Sequence, residues 1–204
     1  MKVSIIRIAA IVLFTFQSSL FTANAQSAKS VLDKAAASVT VASGVKANFR
    51  MTTTTGNTSG TIAIKGKKFY ATTPQAKIWF DGKTQWTYLK NNDEVNVSNP
   101  TEAQLQAINP YNFINLYKNG YTYTMNTAGT NYVIHLTSNS ADRKIKELFI
   151  TVNKKSYEPM QVKMLQGKKW TTFDITSIKK EKIADSQFRF NSKDFPKAEI
   201  IDLR

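Results

Sequence analysis

The chain offers few side chains able to do covalent chemistry. Its one histidine, His135, lies between Ile134 and Leu136 in an alternating stretch, on the face opposite to both. That placement predicts a surface histidine on a strand rather than a catalytic base. There is no cysteine, so no thiol nucleophile, disulfide or thiolate metal site can form. A single His without Cys leaves no zinc constellation. No Gly-x-Ser-x-Gly elbow occurs, and the 8 glycines are too dispersed to cradle a phosphate. Asp93, Glu94 and Glu102 have no evident reason to share a site. Neither catalysis nor a cofactor is expected.

Binding chemistry is better represented. Lys65, Lys67 and Lys68 followed by Phe69 and Tyr70 interleave charge with aromatics, a pattern that could suit a single nucleic-acid strand. Lysines protecting a strand edge explain it as well. A second set is apolar, large and soft: Phe49, Met51, Phe80, Trp86, Tyr88, Met125, Met160, Met164 and Phe173. Methionine and aromatic side chains on one concave sheet suit an irregular, flexible apolar ligand, because methionine adapts its shape. The same residues could form an ordinary solid core.

The elements that would position these residues follow from periodicity. Val31, Leu32, Ala35 and Ala36 recur at helical spacing between Ser27 and Ser38, with Ser27 or Ser30 as cap and Gly44 beyond the end. The period then becomes two. Val45, Ala47, Phe49 and Met51 alternate with polar residues, and Ile62 and Ile64 continue on a second strand. Phe69 and Ile78 lie on the next two, and Asp81-Gly82 signals a hairpin returning through Trp86 and Tyr88. The alternation stops between Asn99 and Gly120. Pro110 opens a helical piece in which Tyr111, Phe113, Ile114, Leu116 and Tyr117 cluster, so this piece should cover an apolar surface. Strands then resume with Met125, with Ile134 and Leu136, with Leu148 and Ile150, with Met160, Val162 and Met164, and with Phe173. We therefore expect one α+β domain from 26 to 204: an incomplete antiparallel β-barrel of about ten or eleven strands, with helices on its concave face.

Charge and export set the surroundings. Residues 1–25 carry Lys2 and Arg7, an apolar stretch from Ile8 to Phe16, and Ala23-Asn24-Ala25, the pattern of a signal peptide cleaved after Ala25. No other apolar run approaches the roughly 20 residues of a spanning helix. An exported, soluble, unanchored protein is the expectation, since a lipid anchor needs a Cys after the signal. The 204-residue chain has 28 basic and 14 acidic residues. Export keeps that surplus away from chromosomal DNA and points to anionic envelope components, although solvated lysines on a wet sheet face would also account for it.

One segment narrows the choice. Ile78-Trp79-Phe80-Asp81-Gly82-Lys83-Thr84-Gln85-Trp86-Thr87-Tyr88 resembles the D-G-K-T-x-W-x-Y hairpin of the periplasmic lipoprotein carriers, the LolA-like family. Val45 to Met51 is similar to the family's A-x-F first strand, Gly60 to Lys65 to its G-x-I-x-I-K strand, and Asp185 to Phe190 to its D-x-x-x-F-x-F ending. The tail Phe195 to Arg204 looks like that of Bacteroidetes-type members. The resemblance implies a half-barrel that takes acylated lipoproteins from an inner-membrane lipoprotein-releasing ABC transporter. It would hide their acyl chains and pass them to an outer-membrane acceptor as a periplasmic monomer, without making or breaking bonds. Together with strand parity, it implies that Phe49, Met51, Ile62, Ile64, Phe69, Ile78, Phe80, Trp86, Tyr88, Met125, Ile134, Leu136, Leu148, Ile150, Met160, Val162, Met164 and Phe173 line an acyl-chain cavity under a lid of Tyr111, Phe113 and Leu116. Where the best-known members place a latch Arg after the second strand, this chain has Gly66, Lys67 and Lys68. A lysine supplies the charge but not the planar fork of donors. Two alternatives stay open: an envelope lipid sensor on the same half-barrel, and a secreted interaction domain with a solid core.

Overall fold

The computed structural model describes residues 27–101, 104–105 and 116–204. The signal-peptide stretch, and with it Tyr111 and Phe113, lies outside the described residues.

Helix α1 spans Ala28–Val39. Ser27 caps it, its Oγ accepting from the Ser30 N–H at 3.2 Å. Val31, Leu32, Ala35 and Val39 form its buried face, as their spacing requires. Twelve strands follow: β1 (Val45–Thr53), β2 (Gly56–Lys65), β3 (Lys68–Thr72), β4 (Ala76–Phe80), β5 (Gln85–Leu89), β6 (Glu94–Ser98), β7 (Tyr121–Ala128), β8 (Asn131–Ser138), β9 (Ile145–Asn153), β10 (Pro159–Gln166), β11 (Lys169–Lys180) and β12 (Glu199–Asp202). Two short 3-10 turns, Asp185–Phe188 and Ser192–Asp194, lie between β11 and β12.

All strands join one open sheet in the order β12-β6-β5-β4-β3-β2-β1-β11-β10-β9-β8-β7. The expected α+β architecture with a meander sheet is present, with two corrections. The described residues form twelve strands, and the sheet is mixed rather than wholly antiparallel, because β12 runs parallel to β6. The reason is topological. The chain leaves β11 in the middle of the sheet and must cross several strands to reach the far edge. Such a crossing brings it back in either direction, unlike a tight hairpin.

The face on which α1 packs is called inner here. Its β1 residues Val45, Ala47, Phe49 and Met51 alternate with polar residues as expected. The opposite, outer face is wet over β7–β11 but covered at the other end. There the segment after β11 folds back onto β2–β5. Phe188 is fully buried against Ala63, Ile183 and Tyr70. Trp79 packs on Tyr70, Phe190 and Phe195 with ring centroids 5.4, 5.5 and 5.6 Å away. Tyr88 meets Phe195 at 4.6 Å. Aromatic pairs at these separations add to the area they bury.

Candidate functional site

The inner face holds two apolar clusters. The first is built on β7–β10. Ile134, Leu136, Leu148, Ile150 and Val152 are completely buried together with Val31, Leu32 and Ala35 of α1. Val162, Met164, Leu116 and Tyr117 complete the cluster, and Met125 packs against it. Asp33 of α1 accepts a short hydrogen bond from the Tyr117 hydroxyl and pairs with Lys29 at 2.8 Å. Burial, followed by the neighbouring Asp33, pushes the Tyr117 hydroxyl far above the usual phenol range. This tyrosine therefore stays a neutral donor that fixes the helix to the chain entering β7.

The second cluster lies on β1–β4. Phe49, Ile62, Ile64, Phe69 and Phe80 are buried with Ala47 and Val39. Around them Met51, Ala71, Ile78, Leu105, Phe173, Ile175 and Ile178 are only partly buried. Phe69 and Phe80 face each other across β3 and β4 at 5.5 Å, and Phe49 meets Phe173 edge-on at 6.0 Å. Gly60 stands opposite Phe49 in the ladder. A Cβ there would come within 2.6 Å of the ring's Cζ and 2.4 Å of the Thr72 carbonyl oxygen. Only glycine allows the Phe49 ring to lie over β2 in this way.

The predicted lining residues therefore divide. Phe49, Met51, Ile62, Ile64, Phe69, Ile78, Phe80 and Phe173 come together in the second cluster. Met125, Ile134, Leu136, Leu148, Ile150, Val162 and Met164 belong to the first, where α1 fills the space before them. Three residues leave the inner face. The β4–β5 hairpin pairs Phe80 with Gln85 and Trp79 with Trp86, so Trp86 and Tyr88 stand on the outer face with Trp79. Met160 sits at a bulge, because Pro159 pairs with Val152 and Gln161 with Thr151. It is 41% exposed. Each case has the same kind of cause: an added or missing ladder position changes a side chain's parity relative to its neighbours.

Of the lid residues, Leu116 is buried in the first cluster. Lys68 pairs with Asp185 at 3.1 Å, and Lys65 reaches the same carboxylate at 2.9 Å and the Ile183 carbonyl at 3.0 Å. These cations tie the C-terminal segment to the β2–β3 turn and hold the Asp185 carboxyl below its ordinary range through their hydrogen bonds. Lys67 is exposed at that turn.

Sequence reasoning missed a polar strip. Gln85 and Thr87 of β5 take the inner face expected for Trp86 and Tyr88, and Asn96 and Ser98 of β6 lie beside them on that face, by the pairings of β4–β5 and β5–β6. The Asp81 turn could have revealed it. Asp81 Oδ1 accepts from the N–H groups of Lys83 and Thr84 at 3.0 and 2.9 Å, and Gly82 takes φ +102°. A turn from 81 to 84 puts 80 opposite 85. His135 is on the outer face as expected, stacked on Phe149 at 4.2 Å and 3.0 Å from Glu147. Among the described residues, no group of three or more acidic or histidine side chains could hold a metal ion.

This architecture resembles known structures. A conserved uncharacterized protein from Thermus thermophilus superposes with a TM-score of 0.58 at 12% identity, over 87% of this chain and 99% of that one. A LolA superfamily protein from Nitrosomonas europaea matches with a TM-score of 0.44 at 12% identity, over 80% and 97% of the two chains. A chain of the Pseudomonas aeruginosa MucA/MucB complex matches at 0.40 and 11%, over 80% and 60%. No curated protein matches the sequence. The family model for the outer membrane lipoprotein carrier protein LolA matches residues 18–168, from before α1 through the end of β10. With α1, the Asp81 hairpin and the inner face of β1–β10 inside that span, the chain belongs to the LolA family of outer membrane lipoprotein carriers.

Proposed function

We propose that the protein is an exported periplasmic carrier that holds the acyl chains of lipoproteins on the inner face of β1–β4 and moves them from inner to outer membrane. The observation that carries this reading is the partly covered apolar floor formed by Met51, Ala71, Ile78, Phe173 and Ile175 around Phe49 and Phe80. Family membership supports the cargo class. We further assign cleavage of the leader after Ala25, loading by an inner-membrane lipoprotein-releasing ABC transporter, delivery to an outer-membrane acceptor and action as a monomer. The Phe195–Arg204 tail supports placement in the Bacteroidetes-type variant.

Apolar burial supplies the affinity, at about 0.8 kcal/mol for each methylene removed from water. A carrier must also release its cargo, so the loaded and empty states must differ by only a few kcal/mol. A segment that covers the floor when empty and moves aside when loaded would achieve this. Leu105 packs on the floor and Leu116 in the neighbouring cluster, both on the inner face.

The test uses saturated fatty acids of increasing length, competing with a fluorescent acyl probe. Affinity should rise about fourfold for each methylene buried, and protein purified without detergent should release lipid detectable by mass spectrometry. Absence of both probe binding and co-purified lipid would overturn the proposal in favour of a solid-cored interaction domain.

A further inference from the structure

The inner face changes character at β5 and β6. Phe80 ends the apolar floor, and its partner across the hairpin is Gln85. Gln85 in turn faces Ser98, and Thr87 faces Asn96. These four polar side chains therefore share the face of Phe80 and Ile78. Gln85 is only 8% exposed. Its Nε2 donates to Thr87 Oγ1 at 3.1 Å, but its Oε1 is buried with no hydrogen-bond partner among the described residues. Turning the amide over would leave the NH2 group without a partner in its place, so one end stays unsatisfied in either orientation. The adjacent Thr84 does not meet the need, because its Oγ1 already donates to Asn99 Oδ1 at 3.0 Å.

A buried, unpaired amide oxygen costs more stability than an apolar side chain of the same size. A native chain that keeps one beside an apolar floor has a reason to keep it. We propose that Gln85 is a ligand-binding residue: it accepts a hydrogen bond from the N–H of an amide-linked acyl group whose chain runs from the strip over Phe80 and Ile78. This deepens the acyl-carrier reading and rests on it. An ester or an ionised fatty acid offers no donor to Oε1 and can only accept from a turned-over Gln85 amide. A secondary amide offers a donor and an acceptor together, and so satisfies Gln85 in either orientation. The strip would then select the head of the ligand, while the floor measures its chain.

The experiment compares N-methyldodecanamide with methyl dodecanoate, which match in length and differ in the donor, by displacement of a fluorescent acyl probe from the full mature chain. The parent should bind the amide about tenfold more tightly than the ester. In Gln85→Leu that preference should vanish, and thermal stability should be equal or higher because the orphaned polar group is gone. If Gln85→Leu does not fold, Gln85→Met, unbranched like glutamine, serves for the same comparison. Equal binding of amide and ester by the parent, or a preference that survives at position 85 without the amide, overturns this proposal alone. Tighter binding of dodecanol than of the amide also overturns it. If neither ligand binds the parent, the acyl-carrier reading fails with it.

Discussion

The two apolar clusters of the inner face use similar residues to different ends. On β7–β10, Ile134, Leu136, Leu148 and Ile150 point at the Val31, Leu32 and Ala35 face of α1, and all of these side chains are sealed from water. On β1–β4, Phe49 and Phe80 are surrounded by Met51, Ile78, Phe173 and Ile175, which stay partly exposed. A helix of twelve residues is about 18 Å long, too short to cover a twelve-stranded sheet. One half is thus closed by α1 and stabilises the fold, and the other keeps apolar side chains partly in water, where the proposed cargo would lie. A floor sealed by a helix would not load, and a floor that empties and fills would not by itself hold the domain together.

Substitutions can break this contrast. The largest effect is expected in the closed half. Leu32→Ala leaves a cavity among completely buried side chains and should cost about 3 kcal/mol in urea unfolding, with probe affinity nearly unchanged. A loss of binding that matches the loss of stability would show that the ligand space extends beneath α1. In the open half, Ile78→Lys should weaken acyl-probe binding by about thirtyfold or more, because a charge must be desolvated beneath the chain. Trp86→Ala, one strand away but on the outer face, should leave that affinity within about twofold. Reversal of this pair would mean that the ligand lies on the wrong side of the sheet.

Smaller effects sharpen the picture. Gly60→Ala forces the Phe49 ring off β2 and should cost about 1 to 3 kcal/mol, with a several-fold change in probe affinity. A neutral result in both measurements would remove Phe49 from the floor. The smallest effect belongs to Asp185. Its carboxyl is held below the ordinary range by hydrogen bonds from Lys65 and Lys68. A carboxylate whose folded pKa is depressed contributes stability above its unfolded value, near pH 4, and loses that contribution as the pH falls through the folded value. Asp185→Asn should therefore lower the melting temperature slightly at neutral pH, and the difference from the parent should disappear on acidification or in high salt. A difference that persists at low pH would point to packing rather than charge.

Much of this was legible from residue order. The alternation of Val45 to Met51, the capped Val31–Leu32–Ala35 face and the Asp81-Gly82 turn are local patterns, and local patterns follow from backbone periodicity. The facing of Trp86, Tyr88 and Met160 was not, because parity must be counted through every turn and bulge, and one displaced residue inverts all that follow. Position 85 was lost for the same reason: Gln85 directly precedes Trp86, which together with Tyr88 claimed its face.

The sequence by itself determined most of the elements, the lack of a cysteine or a second histidine, and the family that the Asp81 hairpin resembles. Only the tertiary structure decided which apolar residues α1 seals, which remain partly open, and that the aromatic tail from Phe188 to Phe195 covers the outer face of β2–β5. The physical reason is that hydrophobicity along a chain states that a side chain must leave water. It does not state which partner will cover it, and that partner is supplied by residues distant in sequence.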